Sequence, residues 1–176
     1  SYLTPTGEFL LVVNASNHEK IARWIRVQGG GLTDLTAGTA MIAVQGPKSE
    51  EILSKIVRAK NAGPWPKLGD MPYFSGCEMD WDGIGQIWIS RTGYTGEDGF
   101  EIVSAADYAE KIWNWLVNVG NVTPCGLGAR DVLRIEAGYS LYGSDMDESV
   151  SPHECGLGFA VAPGKDFIGA EALKKA

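Results

Sequence analysis

The chain has 176 residues and a mass of 18.9 kDa, and 44% of its residues are hydrophobic, which excludes an intrinsically disordered protein. Its 15 basic and 22 acidic residues give a formal net charge of −7, so the overall field repels nucleic acid. No apolar run approaches the roughly 18 residues of a membrane span, and no targeting signal is visible. We therefore expect neither nucleic acid nor a membrane as a partner.

The first third of the chain predicts two units, each a strand followed by a helix. The apolar run 9–13 predicts a buried strand, and Asn17 is placed to cap a helix that ends at the glycines 29–31. Residues 41–45 predict the second strand, and the spacing over 47–60 predicts the second helix.

The middle of the chain predicts a connecting loop and then paired strands. Segment 61–70 is rich in glycine and proline and predicts the loop. Residues 73–79 and 84–90 flank Asp82 and Gly83, a pair typical of hairpin turns, and a third strand is expected over 100–103.

Two helices are predicted after these strands. The first spans about 105–119, with Ser104 and Asp107 in the positions of a capping box, and the second spans 127–137 and ends at Gly138. The whole pattern predicts an α+β fold, with a largely antiparallel sheet covered by helices. We divide it into a first subdomain over 1–60, a connecting loop over 61–70 and a second α+β subdomain over 71–176.

Several common cofactor and nucleophile motifs are incomplete. Gly126-Leu127-Gly128 is followed by Asp131 where a dinucleotide fingerprint has glycine, and neither a phosphate loop nor a nucleophile turn occurs. The two histidines and three cysteines form no metal-ligand pattern, so no metal site is predicted. The cysteines lack a CxxC pair, which favours a reducing compartment and packing roles.

Two charged stretches remain to be explained. In 91–101, Glu101 lies inside an apolar strand, so its carboxylate is either exposed on the open face of the sheet or held in a polar pocket. In 125–138, Arg130 and Arg134 share a helix face and Asp131 can pair with Arg134. On spacing alone, the second stretch favours a solvated face with salt bridges.

Six motifs occur in a fixed order along the chain. They are Phe9-Leu-Leu-Val-Val-Asn14-Ala-Ser-Asn17, Ala43-Val-Gln45-Gly46-Pro47, Ser90-Arg91-Thr-Gly-Tyr94-Thr-Gly-Glu97-Asp-Gly-Phe-Glu101, Gly126-Leu-Gly-Ala-Arg130-Asp131, Leu141-Tyr142-Gly143 and Asp166-Phe167-Ile168-Gly169. In this order they resemble the T-protein family of the glycine cleavage system, the folate-binding aminomethyltransferases.

The resemblance implies transfer of a one-carbon unit, with release of ammonia, from the aminomethyl-lipoyl arm of a partner, the lipoylated H-protein, to tetrahydrofolate. It implies that Glu101 accepts two hydrogen bonds from the edge of the pterin ring. Arg130 is expected to bind the pterin carbonyl or a nearby carboxylate, and Tyr94 to pack on the ring system. Asn14 is expected to hydrogen-bond near the middle of the ligand.

The resemblance also marks what this sequence lacks. The family's catalytic aspartate is expected before Ser1, so no catalytic residue is assigned, and the chain resembles a central fragment without the early region and the C-terminal barrel. The family works in the bacterial cytoplasm or the mitochondrial matrix.

Two alternatives to the aminomethyltransferase stay open. One is a non-catalytic folate-binding relative, which is disfavoured because the segment Lys165-Asp166-Phe167-Ile168-Gly169 has no cysteine. The other is the folate module of an oxidative demethylase.

Overall fold

The structure is a computed structural model that describes residues 1–59, 65–162 and 164–175. The strands of this part of the chain are β1 Tyr2–Leu3, β2 Phe9–Leu10, β3 Thr39–Gln45, β4 Val57–Ala59, β5 Gly76–Trp81, β6 Gly85–Ser90 and β7 Gly99–Ala105. Its α-helices are α1 His18–Val27, α2 Ser49–Leu53, α3 Ala109–Asn118, α4 Leu127–Glu136 and α5 Ala170–Leu173.

A five-stranded antiparallel sheet in the order β3-β7-β6-β5-β4 organises the fold. Strands β1 and β2 form a separate antiparallel pair. The predicted α+β class with an antiparallel sheet is confirmed. Within the described part of the chain, no helix combines the length and apolar character needed to cross a bilayer.

The hydrophobic core covers one face of this sheet. Alternation along β7 sends Phe100 and Ile102 into the core, where both are at most 1% exposed, and leaves Glu101 on the opposite face. Helix α3 contributes Ile112 and Leu116 to the same core. The side chain of Glu101 is therefore separated from the apolar layer by the sheet itself.

The predicted hairpin at Asp82 and Gly83 is confirmed, because β5 and β6 pair across this turn and Gly83 has a φ of 76°. The helix ending near Gly138 is also confirmed, and this glycine has a φ of 73° just after α4. Left-handed conformations of this kind are open to glycine at little cost.

The prediction of a buried strand over 9–13 is wrong. Of these residues only Phe9–Leu10 is a strand, which among the described residues pairs with β1 alone, and the Phe9 side chain is 70% exposed. A short apolar run indicates that a segment is suited to burial. Whether it is buried depends on whether another part of the fold packs against it.

The predicted helix over 47–60 is too long. Helix α2 covers only Ser49–Leu53, and Val57 already belongs to β4, which pairs with β5. Val57 is buried through this strand, because pairing with β5 brings it to the same core that Leu53 reaches from α2. Lys60 lies outside the described residues.

The capping box at Ser104 and Asp107 does not form. Ser104 is the sixth residue of β7 and its hydroxyl donates to the carbonyl of Ala105, while a short 3₁₀ turn over Ala106–Tyr108 precedes α3.

Part of the predicted connecting loop, 61–64, lies outside the described residues. Because β3 and β4 pair with strands from beyond that loop, a single sheet spans the predicted boundary at 61–70.

Candidate functional site

The loop over 91–98, between β6 and β7, is closed at its base by an ion pair. Arg91 Nε donates to Asp98 Oδ1 at 2.9 Å and Arg91 Nη2 donates to Asp98 Oδ2 at 2.6 Å. The remaining Nη1 donates to the carbonyls of Gly69 and Met71. The hydrogen bonds from Arg91 hold the pKa of Asp98 below its usual value. The loop therefore starts and ends at one fixed point.

Gln45, the last residue of β3, supports the same loop from below. Its Nε2 donates to the carbonyls of Thr92 at 3.1 Å and Phe100 at 3.3 Å. A Cβ on Gly99 would lie 2.5 Å from the Gln45 side chain, so only glycine lets the amide approach. These contacts set the position of Thr92, which is hydrogen-bonded to Glu101.

Glu101 is half-buried on the sheet face away from the core. Thr92 Oγ1 donates to Glu101 Oε2 at 2.5 Å, and Tyr2 Oη donates to Thr92 Oγ1 at 3.3 Å. Across the described ranges, no cation forms a salt bridge with Glu101. The carboxylate therefore has acceptor capacity left for a ligand.

A cleft of about 400 Å³ lies between the tip of the loop and α4. This volume is within the roughly 300–1,000 Å³ of small-molecule sites. The described residues that line it are Tyr94, Leu127, Gly128, Arg130, Asp131, Arg134, Leu141 and Ser144.

Tyr94 is held rigidly at this cleft. Its hydroxyl donates to the carbonyl of Ser140 at 2.5 Å, and its ring stacks on Tyr139 with centroids 5.6 Å apart. The guanidinium carbon of Arg130 lies 5.1 Å from the centre of the Tyr94 ring. The Arg130 cation thus lies over the aromatic ring of Tyr94 at this cleft.

The two arginines of α4 differ in their partners. Arg134 is 7% exposed and donates to the carboxylates of Asp131 and Asp145, and these bonds raise its pKa. This agrees with the Asp131–Arg134 pair expected from spacing. Arg130 is exposed and has no acidic partner in the described part of the chain. Arg130 is the cation that remains open to a ligand.

The structure brings together some of the predicted residues. Tyr94 and Arg130 share the cleft, while Glu101 does not line it and is connected to Tyr94 through Thr92, two positions earlier in the same loop. Asn14 is exposed, and its Oδ1 accepts hydrogen bonds from the amide and the hydroxyl of Ser16. In this arrangement Asn14 stabilises its own turn.

Sequence reasoning missed two residues that build the site, Gln45 and Thr92. Gln45 belongs to the motif Ala43-Val-Gln45-Gly46-Pro47. Its position, as a polar residue at the end of an apolar strand, could have indicated a supporting role. The packing roles predicted for the cysteines hold for Cys77, which is buried, but Cys125 is exposed. In the described segments, no group of three acidic, histidine or cysteine side chains could hold a metal.

The chemistry of these groups suits a ligand of mixed polarity. A carboxylate with free acceptor sites can bind a pair of N–H donors, and an exposed guanidinium can donate to a carbonyl or carboxylate group. The observation behind this fit is that Glu101 and Arg130 lack charged partners in the described residues while the neighbouring Arg91 and Arg134 have them.

Comparisons with known proteins give one consistent result. The GCVT N-terminal domain family matches residues 2–165. The chain is similar to the aminomethyltransferase of Thermotoga neapolitana, with 47% identity over 173 residues, 94% of this chain and 46% of that protein. It is 43% identical to that of Thermotoga maritima over 182 aligned positions, 99% of this chain and 48% of that protein.

A solved structure supports the same relation. The crystal structure of glycine cleavage system aminomethyltransferase T from Bartonella henselae matches with a TM-score of 0.74 and 28% identity, over 92% of this chain and 43% of that one. The chain spans about half the length of the curated relatives it matches.

Proposed function

The chain belongs to the T-protein family of the glycine cleavage system, through its GCVT N-terminal domain, and on that premise we propose that it carries folate-binding residues of an aminomethyltransferase. The proposed reaction passes a one-carbon unit from the aminomethyl-lipoyl arm of the H-protein to tetrahydrofolate and releases ammonia. We place this activity in the bacterial cytoplasm or, in a eukaryote, in the mitochondrial matrix.

The observation that carries the proposal is that Glu101 and Arg130, two charged groups next to the loop over 91–98, have no ion-pair partner among the described residues. Bound tetrahydrofolate supplies the nitrogen that accepts the one-carbon unit. Glu101 would accept hydrogen bonds from the pterin edge, and Arg130 would donate to a carbonyl or carboxylate of the ligand. Tyr94 would pack against a ring, and its orientation is already fixed by Ser140 and Tyr139.

The role of Asn14 is proposed more narrowly. Its Oδ1 already accepts two hydrogen bonds within its turn, but the side-chain amide can still donate to a ligand. We propose that this amide contacts the middle of the folate.

Titration calorimetry with tetrahydrofolate tests the assignment. Glu101→Ala and Arg130→Ala should each weaken binding by about 1.5–3 kcal/mol, the value of a hydrogen bond to a charged group. Glu136→Ala and Arg23→Ala serve as matched controls, because both residues are exposed and lie outside the site. Unchanged affinity in both test variants would refute the proposed pocket.

A further inference from the structure

Thr92 has a single hydroxyl proton, and the structure directs it to Glu101. The Thr92 Oγ1–Glu101 Oε2 distance is 2.5 Å. An ionised carboxylate only accepts hydrogen bonds, so the proton on this bond comes from Thr92. The oxygen of Thr92 in turn accepts a hydrogen bond from Tyr2 Oη at 3.3 Å. The two hydroxyls form a chain of donors that points at the carboxylate.

The surroundings of this chain keep it in place. The Tyr2 ring packs against Trp88 with centroids 5.7 Å apart, and Ser90, 3% exposed, lies with its Oγ 3.3 Å from Thr92 Oγ1. Ser90 also reaches the backbone carbonyl of Glu101 at 3.5 Å. Because consecutive hydrogen bonds polarise one another, the bond to the carboxylate is strengthened by those behind it.

We propose that Thr92 is a positioning residue that holds the carboxylate of Glu101 in the orientation that accepts the pterin edge of folate. This inference rests on the proposed function. A carboxylate has about four lone-pair sites, so the bond to Oε2 restricts its rotation and leaves one site on Oε2 and both sites on Oε1 for the two donors of the pterin edge. A side chain fixed before binding loses less conformational entropy when the ligand arrives.

A set of variants in the 176-residue chain tests this role by calorimetry with tetrahydrofolate. Thr92→Val removes the donor and keeps the shape, and it should weaken binding about tenfold. Thr92→Ser keeps the hydroxyl and should bind tetrahydrofolate as tightly as the parent chain. Thr39→Val is the matched control, because that hydroxyl donates to the carbonyl of Leu35 at the far end of β3. In the Glu101→Ala background, which removes the acceptor, Thr92→Val should have no additional effect.

A second measurement uses the chain without ligand. The ¹³Cδ NMR signal of Glu101, identified by its loss in Glu101→Gln, should shift in Thr92→Val and stay in place in Thr92→Ser and Thr39→Val. A shift supports the contact even if Thr92→Val also lowers thermal stability. An unmoved signal overturns the inference.

The outcomes separate the two claims. If Glu101→Gln binds tetrahydrofolate as tightly as the parent chain, the proposed role of Glu101 fails and this inference fails with it. If Glu101→Gln weakens binding but Thr92→Val does not, only the role of Thr92 is overturned. If Thr92→Ser is as weak as Thr92→Val, the methyl packing and not the hydroxyl is responsible, and the inference is again overturned.

Discussion

Arg91 and Asp98 face each other across the base of one loop and are joined by two parallel hydrogen bonds, with side chains that are only 12% and 24% exposed. The flanks of Arg91 are covered by the rings of Tyr73 and Phe100, whose centres lie 4.8 Å and 5.6 Å from its guanidinium carbon. The pair is therefore sheltered from water. If one partner is removed, water cannot solvate the remaining charge as it would at the surface.

Asp98→Asn should lower the free energy of unfolding by about 3 kcal/mol, because it removes the hydrogen-bonded counter-charge of a largely buried guanidinium and leaves only the more distant Glu50 carboxylate, 4.0 Å away and partly exposed. Urea unfolding at neutral pH measures the effect. Glu51→Gln is the comparison, since Glu51 and Lys55 form an exposed i,i+4 pair that should contribute far less. Equal effects of the two substitutions would contradict the importance of the sheltered pair.

The same pair gives a pH dependence with a definite sign. The pKa of Asp98 is lowered in the folded chain, first of all by the hydrogen bonds from Arg91. The stabilisation is therefore complete above the pKa of about 3.9 of an unfolded aspartate and is lost as the pH falls through the lowered folded value. Asp98→Asn should flatten the acidic part of the plot of unfolding free energy against pH. An unchanged slope in this variant would argue against a contribution from Asp98.

Two glycine substitutions should change stability in opposite directions. Gly99→Ala places a methyl 2.5 Å from the Gln45 side chain, whose hydrogen bonds resist displacement, and should destabilise the fold by about 1–3 kcal/mol. Gly128→Ala meets no atom within 4 Å and lies in α4, so it should stabilise by about 0.5–1 kcal/mol. Thermal unfolding of the pair checks both signs.

The two arginines of α4 should separate stability from binding. Arg134→Ala removes hydrogen bonds to Asp131, Asp145 and the carbonyl of Tyr139, so it should lower the melting temperature. Arg130→Ala removes only a contact with the Tyr94 ring and should leave melting nearly unchanged. A larger loss of stability in Arg130→Ala would reverse the proposed division of roles.

The cysteines should differ in reactivity. Burial raises the pKa of the Cys77 thiol to about 11, so at pH 8 it is almost entirely protonated as well as inaccessible. Cys125 is exposed and should react first with a disulfide reagent such as DTNB. The fast phase should disappear in Cys125→Ser and persist in Cys77→Ser. The reverse pattern would show that Cys77 is accessible.

Predictions from sequence succeeded where one local interaction decides the structure. Asp82-Gly83 specified a turn and Gly138 a helix end, because each depends on a backbone conformation that glycine adopts readily. The apolar run 9–13 failed for the opposite reason. Its burial depended on a partner surface, and such a surface is a property of the tertiary structure.

The site itself could be predicted only in part. Glu101 stood out because a charge inside an apolar strand is unusual, and the spacing of Asp131 and Arg134 gave their pairing. Thr92 and Gln45 could not be recognised as supports, because their contacts depend on a strand register, Gln45 opposite Gly99, that local sequence does not encode.

The order of the five strands has a consequence for how the chain folds. The two edge strands, β3 and β4, are close neighbours in sequence, yet each pairs with a different end of the β5-β6-β7 meander. The meander can form by successive local turns, whereas β3 must wait for β7 and close a long loop to reach it. Gln45 reaches Thr92 only after that closure, so the groups that set the position of Glu101 come together with the strand pairing of greatest sequence separation in the sheet.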